Sequence, residues 1–173
     1  MKYEFTGEEM VVGRRTLKRI RALVTIVGVV SSGDCGGWIE NESNLSQVSG
    51  DAWVSGDARV YDNAQVYDNA QVYDNAQVYD NAQVSGNARV TGNAWVSGDA
   101  WVSGDAWVSK TPIVITGMSY TTVVADNVLI AGCKCFTFEE WRNKTPDEVL
   151  AMDGKSAAEF YPKLISILNL LDK

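Results

Sequence analysis

The sequence predicts a mainly β protein built around a parallel β-solenoid, and two regularities carry that prediction. Valine recurs every six residues, at 48, 54, 60, 66, 72, 78, 84, 90, 96, 102 and 108, and alanine follows each of the first ten four places later, from Ala52 to Ala106. The pairs between them are Gly-Asp, Asp-Asn or Gly-Asn, types that accept left-handed backbone and make tight turns. Successive side chains of a strand point to opposite faces, so Ala-x-Val-x reads in, out, in, out, and each hexad is a short strand plus a corner. A helix would need apolar spacing near 3.6, and a run rich in Val, Gly, Asn and Asp would form one poorly. Antiparallel hairpins of such short, identical strands would leave register poorly fixed. Three hexads close one triangular coil, and coils stacked about 4.8 Å apart make a prism about 16 Å tall.

The remaining elements follow in order. At 173 residues, 46% apolar and 21% charged, the chain has enough material for one packed domain and too little charge for disorder. Residues 1 to 47 form an N-terminal β cap and leading segment, in which "RRTLKRIRAL" alternates charged and apolar positions along short strands. Residues 48 to 109 are the solenoid. Residues 110 to 173 form a C-terminal cap of a β-hairpin and short α-helices. Its stretch "ITGMSYTTVVADNVLIAG" predicts a hairpin turning at Asp126 and Asn127. Thr145-Pro146-Asp147-Glu148 has the letters of a capping box with proline at the first helical position. "SAAEFYPKLISILNLL" places Phe160, Leu164, Ile167, Leu168 and Leu171 on one helical face, with Pro162 starting a new segment. Both ends serve as covers for strand edges that would otherwise aggregate. An amphipathic last helix also suits pairing with another copy, so a homo-oligomer, dimer or trimer, is expected.

The pattern Val-x-x-x-Ala-x over residues 48 to 109 resembles the hexapeptide repeat of left-handed β-helices, and the left hand is what that resemblance implies. Upstream, "RIRALVTI" and "SGDCGGWIENESNLSQVSGDAWV" resemble the leading segment of a group of phage and prophage hexapeptide-repeat proteins often labelled transferases. Downstream, "ITGMSYTTVVADNVLIAGCKCFTFEEW" and "MDGKSAAEFYPK" resemble the tail several of them carry. The group implies a fold and a viral setting rather than an established activity. It also implies a histidine near "CKCFTFEEW". This chain has none, so no metal or catalytic role carries over to that spot.

The absence of histidine anywhere removes the commonest general base, the commonest metal ligand and the usual partner of a serine or cysteine nucleophile. Hexapeptide β-helices that act as acyltransferases or carbonic anhydrases resemble this repeat but rely on histidine, so a degenerate acyltransferase is the weaker alternative. Cys35, Cys133 and Cys135 are too few for a disulfide scaffold, and Cys133-Lys134-Cys135 is too tight for a usual zinc knuckle. The two thiols of that triplet are expected on one face of a strand. No metal and no cofactor are expected. The longest apolar run, "ALVTIVGVV", falls short of the about 20 residues of a membrane helix, and the first residues lack the order of a signal peptide. A cytoplasmic protein, in the host cell, is the expectation.

The outward position between alanine and valine holds Trp53, Arg59, four glutamines, Arg89, Trp95, Trp101 and Trp107. Tryptophans facing out of a narrow prism are costly unless covered, so Trp53, Trp95, Trp101 and Trp107 with Arg89 are the candidate partner or oligomer surface; the C-terminal segment folding over part of it is the alternative. The other outward position holds Tyr61, Tyr67, Tyr73 and Tyr79, of which only Tyr61 and Tyr79 share a face. The prism carries eight aspartates and two arginines, which invites comparison with duplex DNA, although solvated corner aspartates account for them. Direct nucleic-acid binding is disfavoured by the net charge of −7. Arg14, Arg15, Lys18, Arg19 and Arg21 form the basic cluster that could hold an anion. These features predict a phage-encoded, non-catalytic protein that binds a protein partner and blocks or sequesters a host factor such as an antiviral defence component. The alternative from a different class is a structural or assembly solenoid of a phage.

Overall fold

A computed structural model describes residues 1–48 and 50–171. Strand β1 (Tyr3–Val12) and β2 (Arg15–Ala22) form an antiparallel hairpin, β2 pairs with β3 (Cys35–Ile39), and a 3-10 turn follows at Glu42–Asn44. Ten two-residue strands, β4 to β13, then step through the chain from Trp53–Val54 to Trp107–Val108. They stack in parallel, each from β7 on the strand three before it, so Val54, Val72, Val90 and Val108 line one face of a triangular solenoid and the other valines its remaining two. Every lattice valine from Val54 to Val108 and every lattice alanine from Ala52 to Ala106 is at most 1% exposed. The in, out alternation predicted from the hexads therefore holds through the whole stack.

The lattice starts elsewhere than the spacing suggested. Val48 is 95% exposed and contributes nothing to the core. Its expected place is taken by Leu45, fully buried and bridged in parallel to Val66. Ile39, six residues before Leu45, pairs with Val60 in the same way. The first coil thus carries three residues more than the others between its lowest rungs and the next coil, and an isoleucine and a leucine stand in for valine. The buried Asn44 beside them donates to the carbonyls of Asp62 and Ala64 at 3.0 and 2.8 Å, tying this irregular coil to the regular one above.

Corners explain the choice between Gly and Asp. The first corner residue has φ near +60° in every regular hexad, whether glycine or Asp62, Asp68, Asp74 and Asp80. Aspartate tolerates this region better than most residues, and here it gains a partner. The Asp68 carboxylate accepts from the Gly86 N–H at 3.2 Å, Asp74 from Gly92 at 3.1 Å and Asp80 from Gly98 at 3.2 Å, each one coil on. The second corner residues form ladders: Asn63 donates to Asn81, Asn81 to Asp99, Asn69 to Asn87 and Asn87 to Asp105, at 3.0 to 3.2 Å.

The two ends are closed differently. At the start, the N-terminal hairpin extends one solenoid face to six strands and turns Tyr3, Ile20 and Ala22 into the core; β1, at ten residues, is longer than the short strands expected. At the far end sits a four-stranded antiparallel sheet, β14 (Ile113–Ile115), β15 (Thr122–Val124), β16 (Val128–Ala131) and β17 (Lys134–Thr137). The predicted hairpin is its centre, with the Ala125 N–H on the Val128 carbonyl framing a turn at Asp126 and Asn127. Alternation along these strands gives the sheet two apolar faces. Val114, Val123, Ile130 and Cys135 lie in register across it and join the solenoid core; Val124, Leu129 and Phe136 face two helices.

Helix α1 (Phe138–Arg142) begins at a second capping box, formed by Thr137 and Glu140, whose four letters Thr-Phe-Glu-Glu carry the signal in the sequence. Helix α2 (Pro146–Leu171) begins at the predicted one, with Thr145 and Glu148 bonded reciprocally. Its break falls at Asp153 and Gly154, where Gly154 takes φ +55°, and not at Pro162, which lies inside the second helical stretch. A positive φ is open to glycine without steric cost, so the chain turns there first. Of the five residues expected on one helical face, Phe160, Leu164 and Leu168 are buried against the sheet, Ile167 is half-buried beside them and Leu171 is 38% exposed. Among the described residues no helix is long and apolar enough to cross a membrane.

Candidate functional site

The last full coil presents Trp95, Trp101 and Trp107, one on each face. Trp95 stacks over Gln77, Trp101 over Gln83 and Trp107 over Arg89. The inward valine of each strand is fully buried, so the backbone fixes all three indoles to the outside. They are 52%, 38% and 53% exposed. Trp101 is the least exposed because the C-terminal segment passes beside it: Ser119, Tyr120 and Thr121 wall a crevice of about 470 Å³ with Trp101, Gln83 and Asp99. Its indole N–H also donates to the Ser85 hydroxyl at 3.1 Å. Trp95 and Trp107 stand clear of the C-terminal cap's core. The cover expected from the C-terminal segment thus applies to one of the three.

That Trp101 to Ser85 bond joins positions 16 apart, and the same diagonal recurs in the repeat. Tyr61 donates to Gln77 and Tyr67 to Gln83, at 3.3 and 3.0 Å. The identity of Tyr and Gln across the hexads therefore has a physical use, since diagonal neighbours on one sheet face can bond. Tyr61 and Tyr79 stack with ring centroids 5.2 Å apart, consistent with their sharing a face.

Trp53 does not belong to the exposed set. It is 2% exposed, with Tyr3 of the N-terminal hairpin edge-on to its ring at 6.5 Å. A Cβ on Gly36 would come within 2.8 Å of it, so the bare backbone of β3 is part of its cover. Trp38, which the hexad spacing did not single out, is covered similarly and packs with Leu17 and Tyr61. The hexad spacing shows neither cover: Tyr3 and β3 shield Trp53, and Leu17 with Tyr61 shields Trp38.

The basic cluster does not converge. Arg15 bonds Asp62 and lies over the Tyr61 ring, Arg19 pairs with Glu8 at 3.5 Å and lies over Trp38, and Arg21 pairs with Glu4 at 3.0 Å. Lys18 lies over Phe5, on the side of the hairpin that carries Ile20. Arg14 is exposed at the hairpin turn. Three of the five thus face carboxylates, Arg19 and Arg21 within the N-terminal cap and Arg15 on the first regular coil, and the cluster is spread over the hairpin rather than gathered at one point. Corner aspartates Asp68, Asp74, Asp80, Asp99 and Asp105 are engaged by corner N–H and amide groups, and Asp74 is held below the usual carboxylate range by the Thr91 hydroxyl and the Gly92 N–H.

The cysteine pair separates. Cys135 packs over Gly104 at the solenoid end, where burial pushes its thiol up to about 11. Cys133 is exposed in the turn before β17 and faces the helical side. They do not share a strand face, since a residue in the turn escapes the two-residue alternation.

Residues 52–68, 64–80 and 82–98 each match the YdcK beta solenoid repeat. Each match spans about one coil, and together they lie within the regular stack and reach neither cap. No curated protein matches the chain.

Proposed function

We propose that this is a non-catalytic binding protein that holds a protein partner on the tryptophan tier of its last coil. One observation carries the reading: Trp95 and Trp107 expose about half of their surface on a rigid stack, and tryptophan is among the residue types that dominate the energy of protein contacts. Arg89 directly beneath Trp107 adds a second anchor type. The lack of histidine supports binding over catalysis. The likeness of both ends to phage and prophage proteins supports a host factor, such as an antiviral defence component, as the partner, met in the host cytoplasm. Pull-down from host extract with the wild-type chain and with a Trp95→Ser, Trp101→Ser, Trp107→Ser variant tests this. A host protein retained by the first and lost by the second is expected; recovery only with virions would sink the proposal.

A second reading has its own support. Because the three indoles point to three faces, no flat partner meets all of them, and neighbouring copies of the chain could cover two. In that case light scattering would show a dimer or trimer for the wild type and a monomer for the triple variant.

A further inference from the structure

The helical side of the C-terminal sheet and α2 line a half-open apolar pocket of about 310 Å³. Local choices in the sequence keep it open. Ala131 and Ala157 contribute only methyl groups to its wall, and the break at Asp153 and Gly154 turns the first part of α2 aside from the second. An apolar cavity of about 150 Å³ stays dry and takes up benzene, so this one has room for roughly two fused rings or a comparable alkyl chain. Its size is at the lower end of ordinary ligand sites, about 300 to 1,000 Å³.

The polar atoms of the lining are nearly all engaged by the protein. The Tyr161 hydroxyl donates to the Trp141 carbonyl at 2.5 Å, the Trp141 indole to the Leu129 carbonyl at 2.7 Å, and the Tyr120 hydroxyl to the Asp153 carboxylate. Among the described lining residues this leaves the Lys134 ammonium and the Cys133 thiol without a partner in the chain. An apolar chamber with one uncommitted cation suits an apolar body with one anionic group, since charge-assisted bonds are the strong ones. Asp153 limits the ligand to a single negative charge, because a second would meet its carboxylate.

We propose that this cavity binds a small organic monocarboxylic acid, its apolar body against Trp141 and Phe160 and its carboxylate on Lys134. The site is independent of the tryptophan tier. The probes are 2-naphthoate and decanoate, titrated into the full chain by calorimetry. Alkylation of Cys133 by iodoacetamide is followed in parallel by peptide mass spectrometry. Cys35, exposed at the start of β3, is the internal control. One site per chain is expected, with Cys133 alkylation slowed several-fold and Cys35 unchanged. Lys134→Gln should weaken 2-naphthoate about tenfold, as expected for loss of a charged hydrogen bond, and Ala157→Leu should abolish binding by filling the chamber. Absence of saturable heat with both acids, equal slowing of the two thiols, or undiminished affinity in Lys134→Gln would overturn the assignment.

Discussion

Where the solenoid core begins can be decided by two substitutions that the hexad lattice and the folded structure rank in opposite order. The lattice makes Val48 its first inward residue and gives Leu45 no role. In the structure Leu45 is fully buried on Val66 and Val48 is 95% exposed. Leu45→Ala removes three carbons from a sealed site. At about 0.8 kcal/mol per buried methylene the transfer loss is about 2.4 kcal/mol, and the unfilled space raises it to about 3 kcal/mol, within the range known for such truncations. For a chain of this length each kcal/mol lowers the melting temperature by about 2–4 °C, so a drop of about 6–12 °C is expected. Val48→Ala removes atoms already in water and should change stability by less than about 0.5 kcal/mol. Thermal unfolding followed by circular dichroism at matched concentration reads both. A Val48→Ala loss equal to or larger than that of Leu45→Ala would refute the placement of the first coil.

The tryptophans should divide in the same way: Trp53→Ala costs about 3–5 kcal/mol as a core truncation, whereas Trp107→Ala stays within about 0.5 kcal/mol, measured by urea titration. Gly154→Ala, whose added methyl meets nothing within 4 Å but must adopt φ +55° with ψ −137°, outside the left-handed helical region, should cost about 1–3 kcal/mol through the backbone alone. The carboxyl groups of Glu140 and Glu148 are held low by the backbone N–H groups of Thr137 and Thr145, and that of Asp74 by the Thr91 hydroxyl. Since their folded values lie below the unfolded ones, their contribution is present above the usual carboxylate range of about 4 and is lost as pH falls through the folded values. Melting temperature should therefore fall on acidification below about pH 4, and more shallowly in Glu148→Gln; an identical acid limb in that variant would remove Glu148 from the account.

Much of the fold was legible because its rules are local. A six-residue step with a turn-forming pair decides strand, corner and inward face within one hexad, and the capping box at Thr145 needs only four residues. The diagonal bonds from Tyr61 to Gln77 and from Tyr67 to Gln83 were also within reach, as a relation between positions 16 apart. Other features were masked by a stronger local signal. Pro162 looked like the break in α2, but Gly154 offered the chain a positive φ earlier; Val48 kept the spacing while Leu45 kept the burial.

Hexad spacing was thus sufficient to order the valines and alanines into a parallel stack and to send Trp53, Trp95, Trp101 and Trp107 to its outside. Which of those tryptophans meets water was decided only when the ends folded over the stack. Tyr3 and β3 cover Trp53, the segment at Ser119 to Thr121 flanks Trp101, and Trp95 and Trp107 keep about half of their surface. The same holds for the cavity under α2, which requires Ala131 and Ala157, distant in the chain, to face one space. Direction along a strand is a property of neighbours in sequence; exposure depends on what packs above, and that is supplied by residues far away along the chain.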